Sequence, residues 1–95
     1  MNQSIERSNN LINGMKNHIK LIIDIFISEK IELPKVILDQ YIYILIGTDT
    51  STHMKKILND ILNTPELSKL PKYRFDRIML INATFNHLFS LYNLK

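Results

Sequence analysis

The C-terminal part of this sequence carries no charged side chain over a long stretch. From Ile78 to Leu94 there is no Lys, Arg, Asp or Glu, and most positions are aliphatic or aromatic. The apolar residues recur in steps of three and four, which places them along one side of a helix. One narrow uncharged stripe is formed by polar residues at the same spacing, which are Asn82, Asn86, Ser90 and Asn93. A helix that is apolar over most of its circumference must be covered on several sides, so this segment strongly constrains the fold.

Two helices are predicted in the first half of the chain. Apolar residues in steps of three and four indicate a first helix that ends near Ser28, with Ser4 and Ser8 as candidate N-caps. After a short connection, Pro34 stands where proline is tolerated, in the first turn of a helix. We therefore predict a second helix from Pro34 to Ile46.

Two further helices and a short helical turn are predicted in the second half. Gly47 supplies a stop for the second helix, and the polar run 48–52 offers N-caps for an amphipathic third helix. Pro65 to Leu70 is typical of a short helical turn, which Pro71 ends. The last helix, which is free of charge from Ile78 onward, then runs from Lys72 to Leu94.

A β-strand is the alternative for the segment Tyr41–Ile46, which is rich in β-branched and aromatic residues. The chain has only two glycines and no hairpin signal beside this segment, so an isolated strand would have no neighbour to pair with. At 95 residues the chain has room for one core. The sequence therefore predicts an all-α fold, a single helical domain over 1–95: a small four-helix bundle with a short helical turn between helices three and four.

No residue pattern indicates catalysis or metal binding. The chain has no cysteine, and His18, His53 and His87 fall in three different predicted helices. Two glycines do not make a phosphate-binding loop, and the carboxylates are scattered singly. We therefore expect no enzyme activity, no cofactor and no metal.

The same features bear on the cellular location. A chain without cysteine suits a reducing compartment, and residues 1–10 lack the apolar core of a secretory signal. The apolar runs are interrupted by charges and fall short of the roughly 20 residues that a membrane span needs. We expect a cytoplasmic protein without a transmembrane segment.

Two predicted helices are more apolar than a bundle of this size can cover. Ile42–Ile46 is a consecutive apolar run that points in every direction around its helix, and the last helix is nearly as apolar. Large exposed apolar patches usually mark interfaces, so we expect a protein partner, most simply a second copy of the chain. A different protein or a membrane surface is the alternative, and the two helices can also simply form the core of a monomer. The aromatic residues expected at the interface are Tyr41, Tyr43, Phe85, Phe89 and Tyr92.

A second candidate surface is basic. Its members lie around the start of the last helix and are interleaved with aromatic residues: Lys69, Lys72, Arg74 and Arg77. Such a cluster can contact phosphates, which makes a small nucleic-acid-binding regulator the alternative function. Glu66 and Asp76 partly neutralise the cluster, so a solvated turn between helices is the simpler interpretation.

In size, charge sign and predicted helical layout, the whole chain resembles the small immunity proteins that protect bacteriocin producers. No residue motif carries this resemblance. Those proteins are four-helix bundles that act by protein contact at a membrane receptor. The resemblance therefore implies one instance of the same class, a small helical protein that works by binding another protein.

Overall fold

Four α-helices make up most of the part of the chain that the structure describes. The computed structural model describes residues 2–46 and 51–91. The helices are α1 (Asn2–Ser28), α2 (Lys35–Ile46), α3 (Ser51–Leu62) and α4 (Lys72–Leu91), and a short 3-10 helix covers Pro65–Lys69. No strand occurs within 2–46 or 51–91, and Tyr41–Ile46 is helical. The predicted all-α class, with four helices and a helical turn before the last one, is confirmed.

The largest difference between the predicted and the observed helix ends is at the start of α1; the start of α2 and the end of the helical turn each differ by one residue. Helix α1 begins at Asn2, so Ser4 and Ser8 lie inside the helix and do not cap it. No proline or glycine occurs before Gly14, and each residue added to an existing helix gains a backbone hydrogen bond at little cost. Residues 47–50, with the predicted stop at Gly47, and residues 92–95 lie outside the described part of the chain.

Helices α1 and α3 each pack against two other helices. Helix α1 packs against α3 and α4, and α2 packs chiefly against α3. One stripe of α1, in steps of four and three, is completely buried, as the apolar spacing of the sequence predicts. This stripe consists of Met15, Ile19, Ile22 and Phe26. Opposite it lie the largest fully buried residues of the other helices, which are Ile44, Met54, Ile57, Ile61, Ile78 and Phe85.

The turn after α1 sets the position of α2. The Lys30 N–H donates a hydrogen bond to the Ile27 carbonyl (3.0 Å), and the Ile31 N–H donates one to the Phe26 carbonyl (2.9 Å). This pair of bonds is a Schellman motif, which ends a helix with one residue in the left-handed region. That residue is Lys30, with a φ of 58°, where glycine is usual. Ile31 then packs on the core and directs the chain toward α2.

We expect Lys30→Gly to stabilise the protein. A Cβ in the left-handed region costs about 1–2 kcal/mol, and the greater freedom of glycine in the unfolded chain cancels part of that gain. The net increase in the free energy of unfolding is about 0.5–1 kcal/mol, or about 2–8 °C in Tm. Urea and thermal denaturation measure it. Lys30→Ala is the control, since it removes the same charge but keeps the Cβ; an equal gain in both variants would contradict the strain argument.

Candidate protein interface on helix α2

Four apolar side chains near the end of α2 are more than half exposed. They are Ile42, Tyr43, Leu45 and Ile46, which expose 53, 58, 55 and 80% of their surface and together form what we call the α2 patch. Ile44, which stands between them, is completely buried. The patch contains no charged residue, so a contiguous apolar surface of this kind is a candidate contact site for another protein.

The patch is exposed because α2 buries only a narrow stripe. Of the residues of α2, Ile37 and Ile44 are buried, seven positions and about two turns apart. Nearly all other positions from Tyr41 to the end of the helix are apolar as well. A helix that packs chiefly against one neighbour cannot cover so wide an apolar circumference.

Polar and aromatic contacts hold α2 on α3. The Gln40 side-chain amide donates a hydrogen bond to Asp60 Oδ2 (3.0 Å), and the Lys56 ammonium contacts the same oxygen at 3.0 Å. These two hydrogen bonds, first that of Gln40, hold the pKa of the Asp60 carboxyl below its usual value. One face of the Tyr43 ring stacks on His53, with ring centroids 5.5 Å apart. The orientation of α2 is therefore defined, and the patch points away from the core.

The structure separates the five aromatic residues that the sequence proposes for an interface. Tyr43 lies in the α2 patch, and Tyr41 is half-buried against the core, where burial raises the pKa of its hydroxyl. Phe85 and Phe89 expose 0 and 5% of their surface and stack with ring centroids 5.4 Å apart. Both phenylalanine rings lie on the side of α4 that faces the core, so neither ring is available to a partner in this structure. Tyr92 lies outside the described residues.

From Ile78 onward, the outer side of α4 is uncharged but not contiguously apolar. Leu80 and Leu91 are exposed, with small or polar residues such as Thr84 between them. Asn82 and Asn86, from the polar stripe, hydrogen-bond to each other at 3.2 Å. Helix α4 therefore exposes less apolar surface than its composition suggests. The larger contiguous apolar surface is the one on α2.

The described residues line a groove and a pocket that bear on binding. A groove of about 390 Å³ between α3 and α4 is lined by Lys55, Lys56, Leu58, Asn59, Leu62, Asn82 and Asn86. An apolar pocket of about 430 Å³ lies where α1 turns into α2, and we call it the elbow pocket. Its lining is Ile23, Phe26, Ile27, Ile31, Leu33 and Leu38, with Lys30 and Glu32 beside them. Sequence reasoning missed the elbow pocket because three separate segments form it.

The basic segment is largely paired with carboxylates. Three of its cations make ion pairs: Lys69 with Glu66 (2.7 Å), Lys72 with Asp76 (3.0 Å) and Arg74 with Glu29 (3.0 Å). The Arg74 guanidinium also donates to the Ser28 hydroxyl and so joins the start of α4 to the end of α1. Arg77 is exposed and has no ion pair with the described residues. Most of this segment therefore stabilises the fold locally and presents little uncompensated charge.

Within the described residues, no group of three or more His, Asp or Glu side chains is arranged to hold a metal ion. Among the described helices, none is both long enough and apolar enough to cross a membrane.

Comparison with family models, with curated proteins and with solved structures found no match to this chain.

We expect Asp60→Asn to weaken the contact between α2 and α3 in a pH-dependent way. The folded-state pKa of Asp60 is lowered, so its stabilising effect is present above the unfolded pKa of about 3.9 and is lost as the pH falls through the folded value. The variant should lose about 1 kcal/mol of stability at pH 7, and the difference should be smaller at about pH 3, below the unfolded pKa. Urea denaturation at both pH values measures this.

The control for this prediction is Asp39→Asn. Asp39 is exposed and pairs with Lys35 on its own helix, a kind of pair that contributes about 0.5 kcal/mol or less. A loss in Asp60→Asn that is the same at both pH values would show that the charge of Asp60 is not what holds the two helices together.

Proposed function

We propose that this chain is a non-enzymatic protein-interaction module that self-associates through the α2 patch. One observation carries the proposal: four apolar side chains within the last five residues of α2 are more than half exposed. The patch is uncharged, whereas the chain as a whole has a net charge of +3. A surface without charge does not repel its own copy, and homodimer interfaces are more apolar than other protein surfaces.

The free energy available from the patch is close to what dimerisation requires. Full burial of one such side chain contributes about 1.5–3 kcal/mol, so covering the exposed parts of four contributes about 4–7 kcal/mol per copy. Two copies together contribute about 7–15 kcal/mol, against an association cost of about 4–15 kcal/mol. The proposed dimer is therefore weak if the patch acts alone and stronger if neighbouring surface joins the contact.

The proposal also concerns the protein class and its location. Small inhibitors, chaperones and immunity proteins work by protein contact, and we propose that this chain is a regulator of that general kind. We propose the cytoplasm as its location, since a chain without cysteine suits a reducing compartment. A different protein as the occupant of the α2 patch is the alternative that the mass measurement below distinguishes.

Nucleic-acid binding through Lys69, Lys72, Arg74 and Arg77 is supported less. The affinity of a protein for duplex DNA falls with salt in proportion to the number of phosphates that its cations neutralise. With three of the four cations already paired to carboxylates, the segment offers few charges to a phosphate backbone.

The proposal predicts that Ile46→Lys abolishes self-association without unfolding the chain. Ile46 is 80% exposed in the monomer, and a lysine at the end of a helix is favoured by the helix dipole. In a dimer, the same lysine would place an ammonium group in an apolar contact. Light scattering over a concentration series should show the wild type rising from the monomer mass of 11.2 kDa toward twice that value, while the variant stays monomeric.

The matched control is Leu91→Lys. Leu91 is also apolar, 62% exposed and the last described residue of a helix, but it lies on α4. The Leu91→Lys variant should therefore dimerise as the wild type does. A wild type that is monomeric up to about 1 mM, which corresponds to only about 4 kcal/mol of binding, would overturn the proposal. Dissociation by Leu91→Lys but not by Ile46→Lys would move the interface to α4.

A further inference from the structure

The elbow pocket and the α2 patch lie on the same side of α2. Leu38, Ile42 and Leu45 follow one another in steps of four and three, which aligns them along one stripe of the helix. Leu38 packs partly on the core and lines the elbow pocket, whereas Ile42 and Leu45 are more than half exposed. One continuous apolar surface therefore runs from the pocket, across Ile42, to Leu45.

Along the axis of α2, Leu38 at the elbow pocket and the exposed Leu45 lie at similar distances from Ile42, on opposite sides of it. At 1.5 Å per residue, Leu38 lies about 6 Å before Ile42 and Leu45 about 4.5 Å after it. If two copies of α2 pack antiparallel about a twofold axis next to Ile42, Leu45 of one copy comes to the level of Leu38 of the other. A twofold axis also makes every contact occur twice, so a projecting side chain and a recess on one surface complement each other.

We propose that two copies of the chain pack α2 against α2 in an antiparallel twofold pair, with Ile42 next to the axis and Leu45 of each copy inserted into the elbow pocket of the other. This inference depends on the self-association proposed above and specifies its geometry. The spacing of four and three is that of the contact seam between packed helices, in which one side chain fits into a recess of the facing helix.

The charges around this surface are compatible with a second copy. Lys30 and Glu32 lie beside the elbow pocket, and the exposed Lys35 and Asp39 pair with each other at 3.2 Å on α2. The positive and negative charges are therefore balanced on the face itself, although the whole chain is positive. A second copy meets no net repulsion there, whereas a strongly acidic or basic partner gains no net attraction.

The combined surface also comes closer to the size that a dimer needs. A stable interface buries about 800 Å² on each partner, and the exposed parts of the four patch residues supply about 200–400 Å². The pocket region adds the exposed side chain of Ile27 and the rest of the pocket lining. Because each copy contributes both the leucine and the pocket, both areas count for each partner.

Single-cysteine variants test the geometry directly, since the natural chain contains no cysteine. In the proposed pair, Ile42→Cys places two thiols next to the axis, close enough for the Cβ separation of about 3.5–4.5 Å that a disulfide requires. Ile46→Cys lies about 6 Å farther along each helix in opposite directions, so its thiols are well separated. Leu80→Cys, on α4, measures random collision, because Leu80 is about as exposed as Ile42 (58 and 53%).

The expected result is that mild oxidation crosslinks Ile42→Cys rapidly, and Ile46→Cys and Leu80→Cys only slowly. Non-reducing electrophoresis at a concentration where the wild type is dimeric by light scattering measures this. Rapid crosslinking of both α2 variants would indicate parallel helices and overturn the arrangement. A dimeric wild type whose Ile42→Cys variant does not crosslink would also overturn it and leave the proposed self-association standing; a monomeric wild type would overturn both.

Leu45→Ala tests the insertion into the pocket. Leu45 is exposed in the monomer, so its truncation should leave the stability of the monomer nearly unchanged. In the dimer, the substitution removes the inserted leucine side chain from both elbow pockets. The dissociation constant should therefore rise about 10-fold to 100-fold. Leu80→Ala is the control and should have the wild-type constant. An unchanged constant in Leu45→Ala would show that the pocket does not take this side chain.

Discussion

The burial of one face of α1 determines what every other helix can cover. The completely buried stripe from Met15 to Phe26 is in the middle of the bundle, and α3 and α4 occupy the positions beside it. Helix α2 is left to pack chiefly on α3, through Ile37 and Ile44. Since α2 is apolar on nearly all sides, this arrangement leaves an apolar surface in water. The candidate interface is thus a consequence of how the core is filled.

Most of the secondary structure could be predicted because its signals are local. Helical spacing, two prolines at helix starts and the shortage of glycine decide each segment within a few residues, and the helices of the structure follow them. Which apolar face becomes exposed is decided by the neighbouring helices. Phe85 and Ile46 are both apolar residues in apolar helices, yet one is completely buried and the other is 80% exposed. No pattern within either helix distinguishes them.

Contacts between distant segments account for the other differences. The ion pair between Arg74 and Glu29 joins residues 45 positions apart. Through it, a cation of the basic segment links the start of α4 to the end of α1. The elbow pocket depends on a left-handed residue after α1, and the sequence has Lys30 there, where a glycine would have signalled the turn. Asn82 and Asn86 were visible in the sequence as a polar stripe, but the groove that they line requires α3 on its other side.

The size of the chain gives the exposed patch a physical rationale beyond recognition. A domain of 95 residues buries a smaller fraction of its surface than a larger one, so a single core contributes only a modest net stability. A contact that forms only between folded copies adds to that stability by mass action and makes it depend on protein concentration. Since α2 is fastened mainly by Ile37, Ile44 and the Gln40–Asp60 hydrogen bond, it has the most to gain from a second covering surface. In the proposed dimer, the helix that the core covers least is the one that the partner covers, and folding and association reinforce each other.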